Sequence, residues 1–343
     1  MKLSKIAPYL LYEFNHESEL IQTIEELSLK FTQRREQITD YLSDKRLASA
    51  YTAFYLTSNA PKLKTVLNWM PSSFVDQLKS STLIDLGSGP GTFSLAFREL
   101  VGQPVQVVQI ETSATMREQA KKLWNGLYPG EDLLQFDHEK IELKGEKFLL
   151  FGHSANEMGA NTALRYIKNI NPDHILFIEP GTKDFFPQML KIRDELIATG
   201  FNILFPCPTA ESCPLLDSVN NWCHQFIQVR QDPELERLSQ MAKKDRRLLP
   251  LTVQAFSRTS QRPQLSTRII RVFPETKFSF EWEVCELNKM KHYQIMKRGL
   301  SKKELDQLSE ALAGSALEVE VDKELEKCTR AKVLRLNNIA LEP

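Results

Sequence analysis

The chain has 343 residues, 42% hydrophobic and 26% charged, with Lys+Arg and Asp+Glu at 44 each. That is the composition of a globular protein with one large or two ordinary cores, and overall neutrality makes no case for a nucleic-acid partner. No apolar run reaches membrane length, so no spanning segment is expected.

The opening Met1–Phe14 has too short an apolar patch for a signal peptide and lacks transit-peptide character, so a cytoplasmic protein with reduced thiols is expected. Residues 1–78 read as a helical N-terminal region. Ile21, Ile24, Leu27 and Phe31 recur at helical spacing within 18–31. Shorter helices are predicted at 48–56 and 62–69, separated by Ser58-Asn59-Ala60-Pro61.

From residue 79 the pattern becomes α/β. Strands are predicted at 83–86, 105–110, 148–151, 174–178 and 202–205, with helices at 93–101, 116–124 and 184–199 between them. Such alternation calls for a mostly parallel, Rossmann-like sheet covered on both faces. A domain over 79–262 is expected, with a cysteine-rich insertion at 206–226. Residues 263–343 read as a small β-rich appendage, with strands at 266–273, 278–287, 317–321 and 332–337 and one helix at 302–312.

The first strand ends in Asp85-Leu86-Gly87-Ser88-Gly89-Pro90-Gly91-Thr92. Glycines between a strand and a helix let backbone approach a nucleoside-type ligand closely. Glu111 ends the next strand, placed to take two ribose hydroxyls. A glycine fingerprint alone also suits dinucleotides. The string through Thr92 resembles motif I of class I methyltransferases, and Ser113-Ala114-Thr115-Met116 resembles their second motif, which favours S-adenosylmethionine. The expected cofactor-binding residues are Asp85, Gly87, Ser88, Gly89, Gly91, Thr92 and Glu111. No catalytic residue is assigned. Neither His153-Ser154-Ala155-Asn156-Glu157 nor Glu179-Pro180-Gly181-Thr182 fits the Asn/Asp-Pro-Pro-aromatic motif of amino-methyltransferases. Glu157 is a candidate base or a loop cap.

Five cysteines without a secretion signal point to metal before disulfides. Cys207, Cys213 and Cys223 lie in a proline-stiffened segment containing Pro206, Pro208 and Pro214. Thiolates select zinc or an iron–sulfur cluster. The paired spacing of a structural zinc site is missing, while a cluster tolerates irregular spacing but needs four ligands. Cys285, Cys328 or His224 could supply the fourth, and His224 reads more naturally as a packing residue. Between Lys243 and Lys303 there are fifteen Lys/Arg against five acids (245, 275, 281, 283 and 286), a basic stretch suited to a phosphate-rich partner.

These pieces together resemble the mitochondrial methyltransferase-like protein seventeen family of small-ribosomal-subunit assembly factors and its bacterial relatives. The resemblance runs from about Tyr41 to Cys285. It is carried by Tyr51-Thr-Ala-Phe-Tyr-Leu56, the glycine turn, Ile178-Glu-Pro-Gly-Thr182, Pro206-Cys207-Pro208, Cys213-Pro214 and Trp222-Cys223-His224. It implies a class I methyltransferase fold that binds S-adenosylmethionine and a [4Fe–4S] cluster, with Cys207, Cys213, Cys223 and Cys285 as ligands. It also implies binding to small-subunit rRNA, with methyl transfer an open matter. The other readings are a non-catalytic ribosome-assembly module, or a zinc-containing methyltransferase acting on a small molecule or protein.

Overall fold

A computed structural model describes residues 1–33, 43–138, 141–216, 218, 221–228, 232–244, 248–261 and 267–337. The N-terminal region is helical, as its apolar period requires: α1 (Leu3–Ile6), α2 (Glu17–Gln33), α3 (Lys45–Tyr51), α4 (Thr57–Asn68) and α5 (Ser72–Ser80). Leu20, Ile24 and Leu27 form the buried stripe of α2. Asp44 caps α3 by accepting from the backbone N–H groups of Arg46 and Leu47. The break expected at Ser58–Pro61 does not occur. A π-helical turn at Thr52–Leu56 runs directly into α4, with Pro61 inside it. The hydroxyl of Thr57 donates to the carbonyls of Ala53 and Phe54, satisfying acceptors at this irregular junction.

The sheet then builds in βα units: β1 (Thr82–Leu86), α6 (Thr92–Val101), β2 (Val107–Ile110), α7 (Ala114–Leu127), β3 (Leu134–Phe136), β4 (Lys147–Gly152), α8 (Ala155–Met158), α9 (Ala160–Ile170), β5 (His174–Pro180), α10 (Phe186–Ala198) and β6 (Asn202–Phe205). Three further elements follow, all missed by pattern: β7 (Gln225–Gln228), α11 (Pro233–Met241) and β8 (Leu248–Ser257). The strand order is β3-β2-β1-β4-β5-β8-β6, with β8 antiparallel to both neighbours and β7 added to its free end. Six parallel strands with an antiparallel strand inserted before the last are the arrangement of class I methyltransferases. The order reverses between β1 and β4, so the ligand crevice belongs at their carboxyl ends. Separate buried clusters cover the two sheet faces, and the N-terminal helices contribute to one of them.

The β-rich part is a closed barrel of β9 (Thr267–Val272), β10 (Ser279–Glu286), β11 (Lys289–Met296), β12 (Ala316–Glu324) and β13 (Thr329–Asn337), with α12 (Lys302–Ser309) between β11 and β12. Its order is β10-β11-β13-β12-β9, with β11 and β13 parallel. Numbered within the barrel, that is 1-2-3-5-4-1 with a helix after the third strand, the OB-fold topology. Ile269, Phe280, Trp282, Val284 and Tyr293 fill its interior. The expected Ser266 strand start, the 262/263 boundary, and Asp245, Arg246, Arg247 and Arg262 of the basic stretch lie outside the described residues. A small fourth cluster, Phe186, Leu190, Leu215, Ile270 and Cys285, packs α10 and the cysteine segment against the barrel.

Candidate cofactor pocket and cysteine cavity

The glycine turn after β1 has φ of 68°, 53° and 83° at Gly87, Gly89 and Gly91. A Cβ on Gly87 would stand 2.6 Å from the Ser154 Cβ, so a side chain there is excluded twice over, by conformation and by contact. A cavity of about 320 Å³ opens beside the turn. Gly87, Ser88, Gly89, Thr92 and Glu111 line it, opposite His153, Ser154 and Glu157 of the loop after β4. Glu111 accepts from Gly89 N and Ser113 N, one on each oxygen at 2.8 Å, leaving further lone pairs on both. Ser88 Oγ is buried without a hydrogen-bond partner among the described residues, as a wall built for a polar ligand would leave it.

Asp85 and Gly91 do not line the cavity. Asp85 sits behind the turn and accepts from the backbone N–H (3.0 Å) and hydroxyl (2.7 Å) of Ser94 in the first turn of α6, so it fixes that helix to β1. Burial pushes its carboxyl up from 3.8 to about 6, against the pull of those two bonds. A raised carboxyl means the folded chain keeps its proton where the unfolded chain has lost it. The stability contribution is therefore highest near pH 4, falls as pH rises towards 6, and is flat above. The Asp85→Asn variant is expected to lose about 3 kcal/mol of that pH dependence. Urea unfolding of both proteins at pH 4 and 7 checks this; an identical pH difference in the two would refute it.

The loop after β4 carries the features that pattern did not reveal. His153 has φ of 61°, rare for a residue with a side chain. Its ring stacks on Phe93 at 6.2 Å, and its Nε2 lies 3.2 Å from Nζ of the buried Lys62. Glu179, wholly buried on β5, accepts from the backbone N–H groups of Ser154 (3.1 Å), Ala155 (2.9 Å) and Asn156 (3.2 Å). Burial pushes this carboxyl up to about 8, with the three N–H groups pulling the other way. The Asn156 amide, oriented to satisfy its own groups, also donates to Glu179 at 2.7 Å. Within Glu179-Pro180-Gly181-Thr182, it is Glu179 that holds the pocket loop.

The cysteines meet elsewhere. Cys207, Cys213, Cys223 and Cys285 line one cavity with Arg193 and Arg268, although they come from the coil after β6, the lead-in to β7, and barrel strand β10. The space is tight, about 30 Å³. Among the described residues no group of three or more His, Cys, Asp or Glu is set to hold a metal ion. Burial raises the thiols of Cys213 to about 11 and Cys285 to about 12, and that of Cys223 well above its ordinary value. Cys328 and His224 are not part of this lining; the His224 ring stacks on Trp222 at 5.1 Å. Trp222 Nε1 donates to Gly181 O at 3.0 Å, tying the cysteine segment to the end of β5. Arg268, counted in the basic stretch as surface charge, is instead buried in this wall.

Residues 45–308 match the family described as mitochondrial small ribosomal subunit Rsm22. The chain belongs to the Rsm22 family. The match spans the sheet and reaches α12 of the barrel, covering the glycine turn and all four cavity cysteines. A comparison with curated proteins returned no match. Among solved structures, the chain is similar to magnesium protoporphyrin IX methyltransferase from Synechocystis PCC 6803, at 12% identity over 69% of this chain and 97% of that one, with a TM-score of 0.39. It is also similar to a SAM-dependent methyltransferase from Aquifex aeolicus (14%, 58% and 98%, 0.33) and to M. capricolum TrmK with S-adenosyl-homocysteine (9%, 57% and 72%, 0.31). These likenesses are distant, and the fold assignment stands on strand order and on the family match.

Proposed function

We propose that this Rsm22-family chain is a cytoplasmic, rRNA-binding assembly factor of the small ribosomal subunit that binds S-adenosylmethionine and a [4Fe–4S] cluster. The observation that carries the cofactor part is the gathering around one cavity of three cysteines from the 206–226 segment and a fourth, Cys285, from the barrel. Two buried guanidiniums share that cavity, and one Arg268 nitrogen is without a hydrogen-bond partner among the described residues, so the wall is prepared for an anionic occupant. Four thiolates suit a cluster. Cys207, Cys213, Cys223 and Cys285 would ligate it, and bound there it would supply a covalent tie between the two halves of the chain.

Gly87, Ser88, Gly89, Thr92 and Glu111 would hold S-adenosylmethionine, which supplies an electrophilic methyl group when bound. Glu111 offers lone pairs to the ribose. The loop Ser154–Glu157 caps that pocket without an Asn/Asp-Pro-Pro-aromatic motif, which favours the second reading of this site, a cofactor kept as a structural ligand in a non-catalytic module.

For RNA, the support is the OB-fold barrel, whose relatives bind single strands on the second and third strands and adjoining loops. On that side Phe278 is 67% exposed with Lys277 over its ring, and Arg271 and His292 flank Phe273. The acids on the face are engaged, Glu281 by His292 and Gln294 and Glu283 by Asn221. The test is anaerobic purification, metal and sulfide analysis, and small-subunit rRNA binding at two salt concentrations. Expected are about four iron and four sulfide per chain and affinity that falls steeply with salt. Stoichiometric zinc without sulfide, or affinity indifferent to salt, would overturn the respective half.

A further inference from the structure

Two arginines enclose the cysteine cavity from opposite sides of the chain. Arg193, on α10, is 1% exposed. Its Nε donates to Cys207 Sγ at 3.4 Å, and its Nη2 donates to the carbonyls of Thr209 (3.1 Å) and Glu211 (2.6 Å). Its Nη1 meets the half-exposed Asp194. Arg268, on β9, is 3% exposed and pairs in register with Cys285 across β9 and β10. Its Nε and Nη1 donate to the carbonyls of Pro206 (3.0 Å) and Gly314 (2.8 Å). Among the described residues its Nη2 has no hydrogen-bond partner and no ion pair includes it, while the guanidinium lies over the Phe205 ring at 4.7 Å.

A buried guanidinium cannot shed its charge as an ammonium can, so an unpaired one is costly unless something anionic comes to it. We infer that Arg193 and Arg268 are counter-charges for an iron–sulfur centre ligated by the four cysteines, and that they raise its reduction potential. The inference rests on the cluster reading above. An oxidised [4Fe–4S] core with four thiolates is dianionic, and the two guanidiniums offset that charge, although Asp194 against Arg193 cancels part of the offset. On reduction one electron enters the core and no protein bond forms or breaks. With the arginines present the added charge falls on a partly compensated centre; without them it falls on a less compensated one, which low-dielectric surroundings penalise more heavily.

Both arginines also tie loops together, and that role alone would change stability without changing potential. The full chain, purified anaerobically, is therefore titrated with dithionite while the reduced centre is followed by electron paramagnetic resonance. In Arg193→Gln and Arg268→Gln, the reduced-to-oxidised ratio at fixed potential is expected to fall roughly tenfold, about 59 mV for a one-electron couple. Arg193→Lys and Arg268→Lys, which keep the charge, should stay much closer to the parent. Glutamine variants with full iron and sulfide and an unchanged potential would overturn the inference. Should Arg268→Gln fail to fold, the Arg193 pair decides by the same criterion. A parent protein without iron and sulfide would instead remove the cluster reading itself, an outcome distinct from an unmoved potential.

Discussion

Replacing Glu179 with Ala is expected to cost at least tenfold in S-adenosylmethionine affinity and to lower the melting temperature clearly. The reason is local. Three consecutive backbone N–H groups, those of Ser154, Ala155 and Asn156, spend their hydrogen bonds on this one carboxyl. They open α8, whose own carbonyls cannot serve them, and Ser154 and Ala155 are buried from water. Leaving two such donors unpaired costs roughly 2–6 kcal/mol before relaxation. Relaxation means moving the loop, and the loop is the pocket wall: Ser154 also donates to Leu86 O at 2.6 Å and packs against Gly87. His153, held in a left-handed conformation next to it, would be free to leave that conformation. Glu179→Gln keeps one acceptor oxygen but turns an amide N–H₂ towards Asn156, so an intermediate loss is expected. Calorimetric titration and thermal unfolding of the three proteins decide this. An alanine variant that binds and melts like the parent would show that the loop holds its own shape.

The sequence made parts of this site plain because their causes are local. The glycine turn is such a case: strand, three glycines and helix lie within a dozen residues, and positive φ leaves a residue-type signature. Asp85 was legible as important, but not the direction of its carboxyl. Its spacing puts it at the strand end, and only the fold shows that its carboxyl turns back to α6 instead of into the cavity. Pro61 misled because the rule against interior proline assumes a regular ladder, and the π-helical turn upstream departs from one. β8 went unseen because its partners are β5, β6 and β7, far off in the chain, and Pro250 interrupts its pattern. β11 reads Lys-Met-Lys-His-Tyr-Gln-Ile-Met, and only Tyr293 and Ile295 are deeply buried, too weak an alternation to stand out. Without β11 the OB order of the barrel could not be recovered. The meeting of the four cysteines was legible only through family resemblance, since no spacing rule joins residue 285 to residue 207. The two buried arginines left no pattern at all.

The Cys285→Ser variant is expected to lose the iron and sulfide of the parent and to let limited proteolysis separate the barrel from the sheet. Cys285 is the barrel's single contribution to the four-cysteine lining, and it shares a small apolar cluster with Phe186, Leu190, Leu215 and Ile270. Other ties across this junction among the described residues include Arg268 to Pro206 O and over the Phe205 ring, Phe226 N to Ala313 O at 3.3 Å, and Asn221 to Glu283. The barrel has its own core around Trp282 and Tyr293, so it should stay folded when released, with near-parental circular dichroism. Serine matches cysteine in size, so the packing loss is small and the effect reports on ligation. A serine variant that keeps full iron and sulfide would assign the fourth ligand elsewhere. One that loses the metal yet resists proteolysis like the parent would mean the apolar cluster alone holds the halves together. Cys328→Ser, at a cysteine outside the cavity, should leave iron, sulfide and proteolysis unchanged, which separates loss of a ligand from loss of any thiol.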